Sequence, residues 1–128
     1  MELTINGKVY QFKASIAFMR LANKLVEEKV DNTNLAQKVG LRYLIAGLID
    51  GDVEQLINAL DFMNTGFDQR LTRKEIEDFI EDENVDVDGI FEMVLDFLSK
   101  ANVSKRTYNA LMEQVNREKA RRKAMMKA

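Results

Sequence analysis

The stretch "LTINGKVYQFKASIAFMRLANK", Leu3 to Lys24, changes its periodicity half-way along, and that change decides the fold. The first half alternates, with Leu3, Ile5, Val9 and Phe12 apolar around Asn6-Gly7. Asn-Gly supplies two residues that tolerate positive φ, as a type I′ turn requires. The stretch therefore predicts a β-hairpin of Glu2–Ile5 and Lys8–Phe12. Two strands alone are marginal in water, so this ribbon must pack on other elements or pair with another chain. From Ser15 the spacing becomes helical. Ser15 can cap a first helix whose stripe is Phe18, Leu21, Ala22, Leu25 and Val26.

Downstream, every signal is helical. "VDNTN", residues 30–34, breaks the first helix, and a second is predicted from Leu35 to Ile49. Its half "LRYLIAGLI" is apolar almost all round, the mark of a central buried helix. Gly40 and Gly47 lie on one face of it. Each costs about 1 kcal/mol against Ala, which points to a close helix approach there. Asp52, after the turn "DGD", can cap a third helix carrying Val53, Leu56, Ile57, Leu60 and Met63, and Gly66 ends that region. Thr72-Arg-Lys-Glu75 reads as a capping box, in which the threonine and the glutamate each satisfy a free amide. It opens a short helix with Ile76, Phe79 and Ile80 inward. A further helix runs from Asp88 to Ala101 and stops at Asn102. Ser104 caps the last, with Tyr108, Leu111, Met112 and Val115 on its stripe. The expected class is mainly α (α+β): an N-terminal β-hairpin on about five to six helices. Residues 1–115 form a single domain in this reading. Residues 116–128 are a basic helical extension that either frays or binds a partner.

Composition narrows the chemistry. A chain of 128 residues can bury roughly two-thirds of its unfolded surface without disulfide or metal. At 46% hydrophobic and 31% charged, it reads as a folded globular protein rather than a disordered one. It has no Cys and no His, which removes thiol chemistry, zinc thiolate sites and the commonest general base and metal ligand. The residues "MELTINGKVY" carry no apolar signal core. The longest apolar run, "LIAGLI" at Leu44–Ile49, is too short to span a bilayer. No glycine-rich phosphate loop is present, and no carboxylate pair stands beside a plausible nucleophile. No catalytic residue, cofactor or metal ligand is therefore assigned.

The net charge of −2 is unevenly spread. Ten acidic residues and no basic one lie between Glu75 and Asp96. Within them, Asn84-x-Asp86-x-Asp88-Gly89 resembles the front of a calcium loop. A complete loop ends in a bidentate Glu at its twelfth position. Here that position is Leu95, so the stretch is read as helix capping by Asp86 or Asp88 and solvated surface, not as a calcium site. Glu81, Asp82 and Glu83 sit at a helix C-terminal end, where they oppose the dipole. They hint at a charged docking surface. The tail reverses the sign. From Glu113 to Ala128 there are six basic residues against two acidic ones. No aromatic residue lies among them to stack on bases, so nucleic acid is not the expected partner. Met93 and Met112, with Met19 and Met63, are read as core filling, whereas Met125 and Met126 offer adaptable contacts to another helix. The candidate partner-binding residues are Tyr108, Leu111, Met112, Val115, Arg121, Arg122, Met125 and Met126. The open edge of the hairpin also allows self-association.

The order of these features resembles a known family. The hairpin entering a helix in "LTINGKVYQFKASIAFMRLANK" is similar to the start of tail assembly chaperones of long-tailed phages infecting Gram-positive bacteria. So are the apolar centre "GLRYLIAGLIDGDVEQLINAL" and the close "EIEDFIEDENVDVDGIFEMVLDFLSKANVSKRTYNAL". The resemblance covers about residues 1–115. It implies a non-enzymatic factor, acting in the host cytoplasm and absent from the mature virion. Such a factor coats the helical tape measure protein and keeps it soluble until major tail protein polymerises around it. It also implies that a longer, frameshifted product can accompany this one. The alternative reading is a helical adaptor or a virion tail structural or completion protein.

Overall fold

The computed structural model describes residues 1–29 and 36–126. Among these, six helices and two antiparallel ribbons are present. The first ribbon pairs β1 (Glu2–Ile5) with β2 (Lys8–Gln11), in the register Glu2↔Gln11 to Ile5↔Lys8. Asn6 and Gly7 turn it, at φ 53° and 77°. One face of the ribbon, Leu3, Ile5, Tyr10 and Phe12, is buried in the helical core. Helix α1 (Ile16–Asn23) starts where Ser15 accepts the Phe18 amide at 3.0 Å.

The structure departs from the sequence reading after α1. The helix stops at Asn23, so Leu25 and Val26 are not on its stripe, and Leu25 is exposed. A second ribbon follows, β3 (Glu27–Lys29) with β4 (Ala36–Lys38). Helix α2 (Gly40–Ile49) consequently begins at Gly40, not at Leu35. The expected break at 30–34 lies outside the described residues. The cause of the early stop is a junction between distant residues. Asn23 at the end of α1 accepts the Leu41 amide at 3.0 Å, supplying the cap that Val39 cannot give α2. The Leu25 amide folds back onto Ala22 at 3.0 Å. Gly40 lies directly on the Ala22–Asn23 backbone, where no side chain would fit.

The remaining helices agree closely with their capping signals. Helix α3 (Val53–Met63) is capped by Asp52, which accepts the Glu54 amide at 3.0 Å. Helix α4 (Arg73–Glu81) opens on the capping box, with Thr72 and Glu75 each bonded to the other's amide. Those bonds from the Thr72 backbone and hydroxyl hold the Glu75 carboxyl below its ordinary range. Helix α5 (Val87–Lys100) is capped by Asp86 rather than Asp88. Just before helix α6 (Lys105–Met126), Ser104 plays a different part from the one expected. Its hydroxyl donates to the Leu98 carbonyl at 2.6 Å, tying the α5–α6 turn to the end of α5.

Helix α2 is the hub, packing on α1, α3, α5 and α6. Leu44, Ile45 and Leu48 are completely enclosed, with Phe12, Phe18, Leu56, Leu60, Met63, Ile76, Val94 and Leu98 around them. One polar side chain joins the hairpin to this core. Asn64, fully buried at the end of α3, donates to the Gln11 and Gln69 carbonyls at 3.0 and 3.1 Å. It also accepts from Arg70 and from the Leu71 amide, both at 2.8 Å. Asn64→Ala strands a buried amide and two carbonyls. We expect it to cost about 3 kcal/mol, the sum of several desolvated groups each worth about 1–3 kcal/mol. Urea unfolding followed by circular dichroism measures that loss. Asn64→Asp should be nearly as damaging, because a carboxylate cannot donate to the two carbonyls.

Candidate functional site

The candidate residues are all on α6, and the structure divides them. Leu111 is buried, and Tyr108 is packed against the core. Met112 and Val115 are half-buried. These four anchor the first half of the helix against α2 and α5. Leu111 therefore serves the fold and is not free to meet a partner. Beyond Val115 every described residue is exposed, Met125 at 72% and Met126 at 87%. This second half is about 16 Å long at the α-helical rise, and its first turns still border α2, where Glu118 lines a hollow with Ala46 and Ile49 and Arg121 one with Arg42. Arg121, Arg122, Met125 and Met126 are on it.

The physical reason is in the sequence of the helix. The apolar spacing that seats α6 ends at Val115, and "NREKARRKAMM" keeps helix-forming residues without a buried stripe. Five cations, Arg117, Lys119, Arg121, Arg122 and Lys123, stand there against one anion, Glu118. Arg117 approaches Glu113 at 4.0 Å, and both are well exposed. Among the described residues the other four cations make no ion pair. The helix thus presents a strongly basic surface with two exposed methionines at its end.

Sequence reasoning missed the floor beneath α6. Arg42 on α2 donates to Gln114 at 3.1 Å, linking the hub to the last helix. Ala46 and Ile49 on α2 line a shallow hollow with Leu111, Gln114 and Val115. Tyr43, on the same helix, is exposed. The apolar density of "LRYLIAGLI" gave no sign that one side of α2 would stay open. Met93 is a second departure. Read as core filling, it is 41% exposed and lines an apolar hollow with Met1, Phe97 and Ala101.

The acidic stretch is surface. Asp82 accepts the Asn84 amide at 2.9 Å in the turn, and Asp86, one of the two calcium-like carboxylates, accepts the Gly89 amide at 3.1 Å as a helix cap. Leu95, at the position where the loop would need its bidentate glutamate, packs on the core. Among the described residues no cluster of three or more acidic side chains is placed to hold a metal ion. None of their helices is long and apolar enough to cross a membrane.

Comparison with known families settles what kind of protein carries this arrangement. Residues 2–113 match the family described as phage tail assembly chaperone protein, TAC. The chain belongs to that family. No curated protein and no solved structure matches the chaperone. The matched span takes in the hairpin, the hub and the anchored half of α6. It ends just before the exposed half, so the free end of the chaperone's last helix lies beyond the matched residues.

Proposed function

We propose that the chaperone binds the tape measure protein, a long helical rod, and keeps it soluble while the phage tail is assembled. The chain acts in the host cytoplasm without catalysis, leaves as major tail protein polymerises, and is absent from the finished particle. Residues 1–115 are one folded body, and 116–128 are its partner-binding extension. The observation that supports this reading best is the exposed half of α6, a helical segment that no described residue buries.

The chemistry of that segment defines the contact. Met125 and Met126 suit an apolar stripe of variable shape, and the surrounding cations favour carboxylates beside that stripe. Met112 and Val115 carry the contact back toward the body, where Tyr108 and Leu111 hold the helix in place. One such contact is weak. Many copies along a rod share the load, and each can be released singly. The acidic surface of α4 and α5 keeps the complex in solution.

Co-expression tests the function. Expressed alone, the large helical tail protein is expected to be insoluble. Expressed with the chaperone, it should stay in the soluble fraction and co-purify. Insolubility in both arms would overturn the proposal.

A further inference from the structure

Two apolar hollows lie side by side on α5. Met1, Met93, Phe97 and Ala101 line the first. Ala14, Ile16 and Val103 line the second, again with Phe97 and Ala101. The two shared side chains make them one trough, with Met1, Ala14 and Ile16 across from α5. Met93, Phe97 and Ala101 are four residues apart, so they form a single stripe along that helix. At the α-helical rise the stripe runs about 12 Å. Met93 and Ile16 are exposed, and Met1, Phe97, Ala101 and Val103 are half-buried. The charge on the rim differs from that of the whole protein. Three cations border the trough, the Met1 ammonium, Lys13 and Lys100, against one anion, Asp96. Asp96 is already paired with Lys100, at 3.1 Å. The Met1 ammonium donates to the neutral carbonyl of Phe12. Among the described residues no carboxylate pairs with it or with Lys13. The rim is therefore positive on a chain whose net charge is −2.

We propose that this trough seats an amphipathic helix of another protein, one whose apolar stripe is flanked by carboxylates. Length selects the helix. Over about 12 Å, two helical turns direct three apolar side chains into a groove, at i, i+3 or i+4, and i+7. A strand rises about 3.3 Å per residue and alternates its faces, so it would direct only two. Met1 and Met93 let the walls fit stripes of different shape. Ala14 and Ala101 are small, so the incoming backbone can come close. Charge selects the flank. Carboxylates beside the stripe meet Lys13 and the Met1 ammonium, whereas lysines there would be repelled. The exposed half of this chain's own α6 carries the wrong sign, with five cations against one anion, so a second copy does not supply the occupant. The site is defined by its own chemistry and stands apart from the tape measure reading, which is carried by α6.

Two synthetic helical peptides of about two heptads, long enough to fill a trough of about 12 Å, test it on the full chain. Both carry leucines at i, i+3, i+7 and i+10. One has glutamates beside the leucines, and its twin has lysines. Methyl resonances of the methionines report the site, because Met1 and Met93 lie in the trough and Met125 and Met126 on the tail. The glutamate peptide should shift Met1 and Met93 and bind there about tenfold or more tightly than its twin. That preference should shrink as salt is raised. Met93→Glu, read from the Met1 methyl, should weaken the glutamate peptide about tenfold. Lys13→Glu should abolish the preference between the twins. Both substitutions are at exposed positions, and thermal unfolding checks that the fold is kept. Met1 and Met93 methyls that do not move, twins that bind equally, or a Met93→Glu affinity equal to the native one would overturn the proposal. Should Met93→Glu fail to fold, Lys13→Glu decides by the same comparison. Because no tail protein is used, failure here leaves the co-expression result standing, and failure of co-expression leaves this one.

Discussion

Gly40→Ala is expected to be the most damaging single methyl group that can be added to this chain. A Cβ at Gly40 would fall inside the Ala22 carbonyl oxygen, with the Ala22 carbonyl carbon and the Asn23 Cα each 2.7 Å away. All three are backbone atoms, so no rotamer change relieves the clash. The end of α1 and the start of α2 have to separate. That separation also pulls Asn23 from the Leu41 amide it caps, now 3.0 Å away. Overpacking of a tight contact costs about 1–3 kcal/mol, and the lost cap adds about 1 kcal/mol. The sum of about 3 kcal/mol should lower the melting temperature by roughly 10 °C in a domain of this size. Gly47→Ala is the control. Its Cβ meets the near end of the buried Gln55 side chain, closest at Cγ and 3.0 Å from Cβ, so Gln55 has to shift against the Asn58 amide it accepts from. The gain in helix propensity, about 1 kcal/mol, should offset part of that adjustment, and no backbone atom is struck. In thermal unfolding of the two variants side by side, Gly40→Ala should therefore melt lower. A Gly40→Ala variant that melts with the native chain would mean that α1 and α2 are not in contact at Gly40.

This pair of glycines also shows where the sequence was legible. Their spacing on an all-apolar helix signalled close neighbours on both counts, and the structure supplies them, α1 at Gly40 and α3 at Gly47. Local chemistry read equally well elsewhere. Asn6-Gly7, Ser15, Asp52 and Thr72–Glu75 each act within four residues, so the pattern carries its own geometry. The failures share one feature, that the deciding partner is far away in the chain. Nothing near Leu25 says that α1 must end at Asn23, because the reason is Leu41, eighteen residues on. The strands Glu27–Lys29 and Ala36–Lys38 are short and polar, with no apolar alternation to betray them. Ser104 looked like a cap because serine usually is one, and only the folded α5 offers it the Leu98 carbonyl. For the candidate surface, the end of the apolar stripe at Val115 marked where α6 leaves the core. The open flank of α2 and the exposure of Met93 depend on packing between helices, and periodicity within one helix does not contain that information.

Removing the exposed half of α6 should separate stability from function. A chain ending after Val115 loses no buried side chain, since every described residue from 116 onward is exposed. Its unfolding free energy should stay within about 0.5 kcal/mol of the full chain, the usual range for surface changes. Its ability to hold the tape measure protein in solution should fall about tenfold or more, equivalent to about 1.4 kcal/mol per contact. Sharing of the load along the rod makes the soluble yield drop more steeply still. Arg121→Glu with Arg122→Glu tests the charge separately from the length. Reversal should weaken co-purification while leaving the melting temperature in place, and the native complex should loosen as salt is raised, because exposed charges are screened over roughly 10 Å. Met125→Ser with Met126→Ser should weaken it without changing the salt response. Two readings of the tail are thereby opposed. A solvated helix with no partner predicts that all three variants solubilise the rod as well as the native chain does. A contact surface predicts three losses of function in proteins that are as stable as the original. The second outcome is the expected one, because the exposed half of the helix, about 16 Å long, gathers its cations and methionines where no described residue covers them.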